Sequence, residues 1–214
     1  MLIAGASRHA KEILDILFSL NTLNDIQFFD DSPNKKSEDF YGFRILQTLK
    51  DAKESFKEDN RFILALGGTY NRWKVYCKLT NCGGSVHSIV ASTAIIGNFN
   101  VNLGEGINVM HSVLISSEVS IGKGTLINAF SALHHDVRIG QFCEISPRAT
   151  LLGGCTIGDF STIGSSATVL PDVSIGKNVV IGAGTLVTKN IPDNSLVVGV
   201  PGKIIKDRET LNLI

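Results

Sequence analysis

The sequence predicts two architectures in one chain: an α/β, Rossmann-like domain first, followed by an all-β parallel β-helix. Up to about residue 85, short apolar runs alternate with amphipathic segments, as the strands and helices of an α/β domain do. From about residue 95, Leu, Ile or Val recurs at every sixth position, a period that neither an α-helix nor an alternating strand produces. We therefore assign residues 1–85 to the first domain and residues 86–214 to the β-helix with a C-terminal tail.

The first domain begins as a βαβ unit. A short apolar strand at Met1–Ala4 leads into Gly5, and the strand Ile26–Phe29 follows a helix. The apolar face of that helix contains Ile13, Leu14, Ile16, Leu17 and Leu20. Farther along, we predict a strand at Phe43–Leu46, a helix at Leu49–Lys57, a strand at Phe62–Leu66 and a helix at Tyr70–Leu79.

Residues suited to ligand binding follow the strands of this domain, where ligands of open α/β sheets bind. Ser7, Arg8 and His9 come after the first strand, where the N–H groups of a helix start can meet a diphosphate. Asp30 and Asp31 end the second strand and are suited to a ribose hydroxyl or a base N–H, although a solvated turn explains them equally well.

The second half of the chain predicts a triangular coil. Small or β-branched residues stand two positions before many of the aliphatic residues, and Gly often follows them. Each aliphatic position marks one six-residue side, and three sides make one coil, so the fifteen positions below give five coils. With coils stacked about 4.8 Å apart, as neighbouring strands are, the prism would be about 24 Å long. We expect the aliphatic residue to point inward at each corner, with Gly or Asn in the turn. The aliphatic positions are Leu103, Val109, Ile115, Ile121, Ile127, Leu133, Ile139, Ile145, Leu151, Ile157, Ile163, Val169, Ile175, Ile181 and Val187.

Two residues of the repeat are predicted to lie together. His135 falls two positions after Leu133, which puts it at a corner facing outward, and Gly153 lies one full coil farther on at the same corner. A neutral imidazole is suited to take a proton near pH 7. A surface histidine is more often a solvated side chain, and a β-helix by itself catalyses nothing, so a structural or binding role is the alternative.

The composition favours a small-molecule partner. The 20 basic and 20 acidic residues cancel, and no Lys/Arg run forms the basic stripe of a nucleic-acid-binding protein. The start of the chain does not look like a signal peptide, and no apolar run reaches the ~18 residues of a membrane span, so we expect a cytoplasmic protein. Cys77, Cys82, Cys143 and Cys155 lack zinc spacing and are expected to be reduced core thiols.

The segments INAFSALHHDVRIG, LLGGCTIG, VVIGAGTLVTKNIPDNS and VVGVPGK resemble the hexapeptide-repeat acetyltransferases. Together with GASRHA, FFDD and LALGGTYNR in the first domain, they make the chain similar to the bacterial nucleotide-sugar acetyltransferases. That family includes UDP-4-amino-sugar N-acetyltransferases and sialic-acid O-acetyltransferases. The resemblance implies a homotrimer of left-handed prisms, with acetyl-CoA in a groove between adjacent subunits and the nucleotide in the N-terminal domain.

The resemblance also implies roles for single residues. His135 matches the family's catalytic base, Asp136 the acidic neighbour that stabilises the imidazolium, and Gly153 the N–H donor to the thioester oxygen. His134 matches no functional position. The matched ligand contacts are Ser7, Arg8, His9, Asp30, Asp31 and Gly67 for the nucleotide sugar, and Glu144, Ser165 and Ala183 for acetyl-CoA. Glu144 stands where the family often has His, and Arg8 where Gly is usual.

The expected function is acetyl transfer from acetyl-CoA to the amino group of a UDP-linked 4-amino-deoxy sugar. We expect direct attack within a ternary complex, with His135 as general base and no metal. Two alternatives stay open: an O-acetyltransferase acting on sialic acid or another surface sugar, and a non-catalytic β-helix that binds a nucleotide sugar.

Overall fold

The structure is a computed structural model that describes residues 1–32 and 39–211. Its first part is a three-layer α/β domain of the Rossmann-like type. The helices are α1 (Arg8–Ser19), α2 (Leu49–Ser55) and α3 (Thr69–Asn81). The strands are β1 (Leu2–Ala4), β2 (Gln27–Phe29), β3 (Asp39–Phe40), β4 (Phe43–Leu46), β5 (Arg61–Leu64) and β6 (Ser85–Val86).

These six strands form one sheet in the order β3-β4-β2-β1-β5-β6, parallel except for β3 against β4. Successive side chains of β1 and β5 point to opposite faces of the sheet and so belong to two separate cores. Ile3 and Ile63 pack with α1, whereas Leu2 and Phe62 pack with α2 and α3. The helices and strands predicted for this domain are present, with ends shifted by up to two residues. Leu20 is an exception, because it caps the C-terminus of α1 and is exposed rather than part of the buried face.

From residue 89 the chain winds as a triangular β-helix whose strands are two residues long. We call its three sheets the first, second and third faces. The first face contains β7 (Ile89–Val90), β10 (Asn108–Val109), β13 (Leu126–Ile127), β16 (Glu144–Ile145), β19 (Thr162–Ile163) and β22 (Val180–Ile181). The second contains β8 (Ile95–Ile96), β11 (Leu114–Ile115), β14 (Ala132–Leu133), β17 (Thr150–Leu151), β20 (Thr168–Val169) and β23 (Leu186–Val187). The third contains β9 (Asn102–Leu103), β12 (Ser120–Ile121), β15 (Arg138–Ile139), β18 (Thr156–Ile157) and β21 (Ser174–Ile175).

The predicted aliphatic repeat forms the core of the prism. Fourteen of its fifteen positions are buried, and each ends a strand of one face rather than standing at a corner. Leu103 is exposed because β9 begins the third face, so no earlier coil covers it. The coil is longer than the regular period indicated: β7 and β8 precede it, and β24 (Ser195–Val198) extends the first face, with β25 (Lys203–Asp207) antiparallel beside it.

The turns between faces correct a second expectation. Every sixth residue from position 106 to position 184 has a positive φ, yet most of these fourteen residues are neither Gly nor Asn; Phe130, Asp136 and Arg148 are examples. The left-handed conformation costs roughly 1–2 kcal/mol for such residues. From Ser112 onward, each of these residues compensates by donating its N–H to the previous coil, as Phe130 does to the carbonyl of His111 at 3.1 Å.

Glycine is required at a different place, directly after the aliphatic residue on the third face. A Cβ on Gly122 would lie 2.5 Å from the backbone of Gly140 and the N of Gln141 in the next coil. Gly104, Gly140, Gly158 and Gly176 face the same restriction. This edge of the prism therefore stacks backbone directly on backbone.

The first domain docks on the edge between the third and first faces. Trp73 and Tyr76 of α3 meet Phe160 and Phe142 edge to face, with centroids 6.4 and 5.3 Å apart, and the two phenylalanines stack at 5.7 Å. Nearby, the fully buried Arg72 of α3 enters the interface. The two domains thus share a continuous packed core.

Arg72 is held entirely by backbone and amide oxygens. Its Nε donates to the carbonyl of Gly124 at 2.8 Å, one Nη to the carbonyl of Leu66 at 2.8 Å, and the other Nη to Asn108 Oδ1 at 2.8 Å. Burial lowers the pKa of the Arg72 guanidinium to about 10, and the nearby Glu144 carboxylate opposes this shift. The guanidinium therefore stays charged at neutral pH. Within the described residues, no helix is long and apolar enough to span a bilayer.

The two uses of glycine predict different costs of substitution. We expect Gly122→Ala to destabilise the fold by about 2–3 kcal/mol, because its methyl group would overlap buried backbone. Gly184→Ala, with an open surrounding and φ of +67°, should cost only about 1 kcal/mol. Thermal unfolding midpoints of the two variants test this, and a larger loss for Gly184→Ala would contradict the stacking argument.

Candidate active site

The turn after β14, on the edge between the second and third faces, brings an imidazole and a carboxylate together. His135 Nδ1 lies 2.7 Å from Asp136 Oδ2, and the two side chains are 68% and 61% exposed. Asp136 adopts φ of +62°, which turns its carboxylate back toward its neighbour. With Nδ1–H donating to the carboxylate, Nε2 is left as an acceptor that faces solvent.

Gly153 lies against this imidazole, one coil farther on. A Cβ at Gly153 would come within 2.4 Å of His135 Cε1 and 2.7 Å of Nε2, so only glycine leaves room for the ring. Gly154 N–H donates to the carbonyl of His135 at 3.0 Å and ties the two turns together. Within the described part of the chain, the N–H of Gly153 itself donates no hydrogen bond. It is therefore a donor available beside the imidazole.

Other residues near this turn are placed differently. His134 is half-buried and its N–H continues the stacking by donating to the carbonyl of Leu151 at 2.9 Å. Cys143 and Cys155 are core thiols, as expected, and burial raises the pKa of each to about 12, whereas Cys77 and Cys82 are only half-buried. A thiol with such a pKa is a poor nucleophile at neutral pH. Of these residues at the turn, the exposed His135 imidazole is the group suited to accept a proton.

A cleft of about 420 Å³ opens at the carboxyl ends of β1, β2 and β5. Four residues singled out from the sequence line it: Ser7, Asp30, Asp31 and Gly67. Ser7 begins α1 without capping it by a side-chain hydrogen bond, so the first N–H groups of the helix remain open toward an anion.

The two aspartates of the cleft have different hydrogen-bonding partners. Asp30 Oδ2 accepts from Ala6 N–H at 3.2 Å and its Oδ1 accepts from the Ser32 hydroxyl at 2.6 Å, which fixes the loops on either side. Asp31 is paired with Lys78 of α3 at 2.5 Å. Asp31 thus presents an ion pair to the cleft, whereas Asp30 shapes its walls.

Arg8 and His9 follow Ser7 in the first turn of α1, but neither is among the described residues of the cleft wall. Arg8 is exposed, and His9 Nδ1 lies 2.9 Å from Glu12 Oε2. Sequence reasoning missed three cleft residues of α3 instead: Asn71, Lys74 and Lys78. Two lysines four residues apart share one face of a helix, and this spacing is the sequence signal that could have indicated them.

The three residues expected to contact acetyl-CoA lie away from His135. Ser165 and Ala183 occupy turns on the edge between the first and second faces, one coil apart. Glu144 begins β16 on the first face, and its Oε2 accepts from the N–H of Gly68 at 2.7 Å. No three His, Cys, Asp or Glu side chains of residues 1–32 and 39–211 come together as a metal site requires.

Two family models match the chain. Residues 1–79 match the PglD N-terminal domain, and residues 154–189 match the bacterial transferase hexapeptide of six repeats. No curated protein sequence matches the chain. The matches fall in separate parts of the chain, one in the α/β domain and one in the β-helix.

Solved structures match both domains at once. A mutant of perosamine N-acetyltransferase from Caulobacter crescentus, in complex with CoA and GDP-perosamine, is 29% identical with a TM-score of 0.89 over 96% of each chain. The acetyltransferase domain of PglB from Neisseria gonorrhoeae FA1090, in complex with acetyl coenzyme A, is 25% identical with a TM-score of 0.88 over 95% of this chain and 98% of that one.

WeeI from Acinetobacter baumannii AYE is 27% identical, with a TM-score of 0.86 over 95% of this chain and 98% of its own. The sequence motifs, the two family matches and these neighbours, which match nearly the whole chain, agree on the same pair of domains, including a left-handed β-helix. The chain belongs to the hexapeptide-repeat acetyltransferases that carry a PglD-type N-terminal domain.

Proposed function

We propose that this protein transfers the acetyl group of acetyl-CoA to the amino group of a nucleotide-linked amino sugar, with a UDP-linked 4-amino-deoxy sugar as the first candidate. The observation that carries the proposal is the His135 imidazole, which is hydrogen-bonded to Asp136 and packs against Gly153, whose N–H donates no hydrogen bond within the described residues. Support for an amino acceptor comes from the perosamine N-acetyltransferase neighbour, whose structure contains CoA and GDP-perosamine.

The three groups suit one direct transfer within a ternary complex. His135 Nε2 takes the proton of the sugar amine as its nitrogen bonds to the acetyl carbon, and the Asp136 carboxylate stabilises the resulting imidazolium. Gly153 N–H donates to the thioester oxygen as negative charge develops there. The carbon–sulfur bond then breaks, and His135 returns the proton to the departing sulfur. No covalent enzyme intermediate is needed.

The cleft of the first domain suits the nucleotide part of the acceptor. The uncapped start of α1 offers N–H groups to a diphosphate, and Lys74 and Lys78 add positive charge along the opposite wall. Asp31 supplies a carboxylate for ribose or base donors. Arg8 and His9 stay candidates for outer contacts of the diphosphate.

We also propose that the enzyme is a homotrimer, because the proposed ligand contacts lie on three different edges of the prism. The first domain occupies the third–first edge, His135 the second–third edge, and Ser165 with Ala183 the first–second edge. A groove between adjacent copies would bring His135 of one copy near the acetyl-CoA contacts of the next. Large exposed apolar side chains on and beside the second face, Ile95, Leu114 and Phe130, suit such burial.

An assay of thiol release from acetyl-CoA tests the proposed reaction directly. We expect release only with amino sugars, in a panel of UDP-, GDP-, dTDP- and CMP-linked sugars, and an amide in the product by mass spectrometry. An ester product would favour the O-acetyltransferase alternative. Nucleotide-sugar binding without any thiol release would favour the non-catalytic β-helix.

We expect His135→Ala to lower kcat by roughly 10²–10⁴-fold, because a positioned acid–base group contributes about that much. Asp136→Asn should give an intermediate loss, since the imidazolium loses a stabilising charge but keeps a hydrogen-bond partner. Steady-state kinetics with both substrates measure these effects.

The neighbouring His134→Ala is the matched control and should reduce kcat far less, because that side chain is half-buried at the end of β14. If His134→Ala abolished turnover while His135→Ala kept it near normal, the base would be misassigned.

We expect sedimentation equilibrium to give three copies of the 23.0 kDa chain, and Leu114→Glu to shift the protein toward monomer with loss of activity. Leu114 is 38% exposed and pairs with Ile95 on the second face. Leu49→Glu, a control at 39% exposure in α2, should remain trimeric. A stable and active monomer at micromolar concentration would overturn both the assembly and the shared groove.

A further inference from the structure

Glu144 is a β-helix residue whose side chain acts on the first domain. It begins β16, where the rest of the first face stacks above and below it, yet its Oε2 accepts from the N–H of Gly68 at 2.7 Å. Gly68 is the N-cap of α3 and adopts φ of +82°. The contact joins residues 76 positions apart and exists only because the two domains dock.

The segment that Glu144 holds forms one wall of the cleft. Leu66 and Gly67 line the cleft, and the backbone on both sides of them is fixed. The carbonyl of Leu64 accepts from Asn108 Nδ2 at 2.8 Å, and the carbonyl of Leu66 accepts from Arg72 at 2.8 Å. Together with the N–H of Gly68, these two carbonyls make three backbone groups within five residues that are hydrogen-bonded to side chains in the domain interface.

Gly67 lies between the Glu144 carboxylate and the cleft, with no other residue of the described chain between them. A Cβ at Gly67 would lie 3.6 and 3.8 Å from the two carboxylate oxygens, which is ordinary van der Waals contact. The wall therefore rests directly on Glu144. Movement of that side chain would move the Gly67 backbone that a ligand in the cleft meets.

The charge of Glu144 has a second consequence. A carboxylate at the start of α3 already takes the position where the helix favours an anion. A phosphate in the cleft would meet like charge there, whereas the start of α1 on the opposite side carries no capping side chain. The arrangement therefore directs a diphosphate toward Ser7 and α1.

We propose that Glu144 is a positioning residue of the nucleotide cleft: it holds the Gly67–Gly68 backbone and steers a diphosphate to α1. The inference rests on the proposed function, because it assigns a role within nucleotide-sugar binding. It differs from a contact with acetyl-CoA, which the sequence resemblance implied for this position. Loss of a positioning residue should weaken nucleotide binding and spare CoA, whereas loss of an acetyl-CoA contact should weaken CoA binding and spare the nucleotide. One experiment therefore separates the two roles.

The experiment is calorimetric titration of the full chain with UDP, GDP and CoA in turn. We expect Glu144→Ala to weaken binding of the preferred nucleotide about tenfold, in line with loss of a hydrogen bond to a charged group. Glu144→Gln keeps an oxygen that can accept from Gly68 and should lose roughly threefold. CoA affinity should stay within about twofold in both variants.

Two further variants serve as a positive and a negative control. Asp31→Ala, which removes a cleft carboxylate paired with Lys78, should also weaken nucleotide and spare CoA. Glu58→Ala, an exposed carboxylate of the first domain far from the cleft wall, should change neither affinity. Thermal midpoints verify folding, and if Glu144→Ala does not fold, Glu144→Gln decides by the same comparison.

A loss of CoA affinity equal to or larger than the loss of nucleotide affinity overturns the inference and returns Glu144 to the acetyl-CoA groove. Unchanged nucleotide affinity in a folded Glu144→Ala overturns it as well. Failure of the wild-type chain to bind any nucleotide would instead contradict the proposed function, so the two failures are distinguishable.

Discussion

Arg72 is the residue on which the relation between the two domains depends. A guanidinium removed from water is costly unless each donor finds an acceptor, and here the acceptors come from both sides of the interface: Leu66 in the first domain, Gly124 and Asn108 in the β-helix. Those acceptors converge only when α3 lies along the third–first edge. The same docking brings Glu144 to Gly68, next to the cleft residue Gly67, so the burial of Arg72 and one wall of the cleft depend on the same interface.

The repeat supplies the geometry of the candidate active site in a similar way. Asp136 occupies the turn position that has positive φ in every hexapeptide from 106 to 184, and the turn is stabilised by hydrogen bonding between coils. That conformation is what folds the Asp136 carboxylate back onto His135 Nδ1. Stacking one coil farther on then puts Gly153 against the ring. The pair therefore needs no special loop, because the ordinary turn of the β-helix produces it.

The coil and the placement of His135 beside Gly153 on the second–third edge could be predicted from the sequence, because a six-residue period determines which residues share a face or an edge. It carried less for the ends of the prism, where the spacing departs from six between β8 and β9 and where Ile191 bridges Ile175 after only 16 residues. The turn chemistry was misjudged because inter-coil hydrogen bonds, which offset the strain of non-glycine residues, are non-local. For the same reason no local pattern indicated that Glu144 reaches Gly68.

The period of 18 residues per coil also bears on how a complete site can be assembled. Residues that differ by a multiple of 18, such as His135 and Gly153 or Ser165 and Ala183, share an edge, whereas His135 and Ser165 differ by 30 and cannot. The interior of the prism is filled by aliphatic side chains, so no ligand can pass through it from one edge to another. In the proposed trimer, a groove that includes both pairs would run between two copies of the chain. The separation of edges within one subunit would then be the physical reason for the proposed assembly.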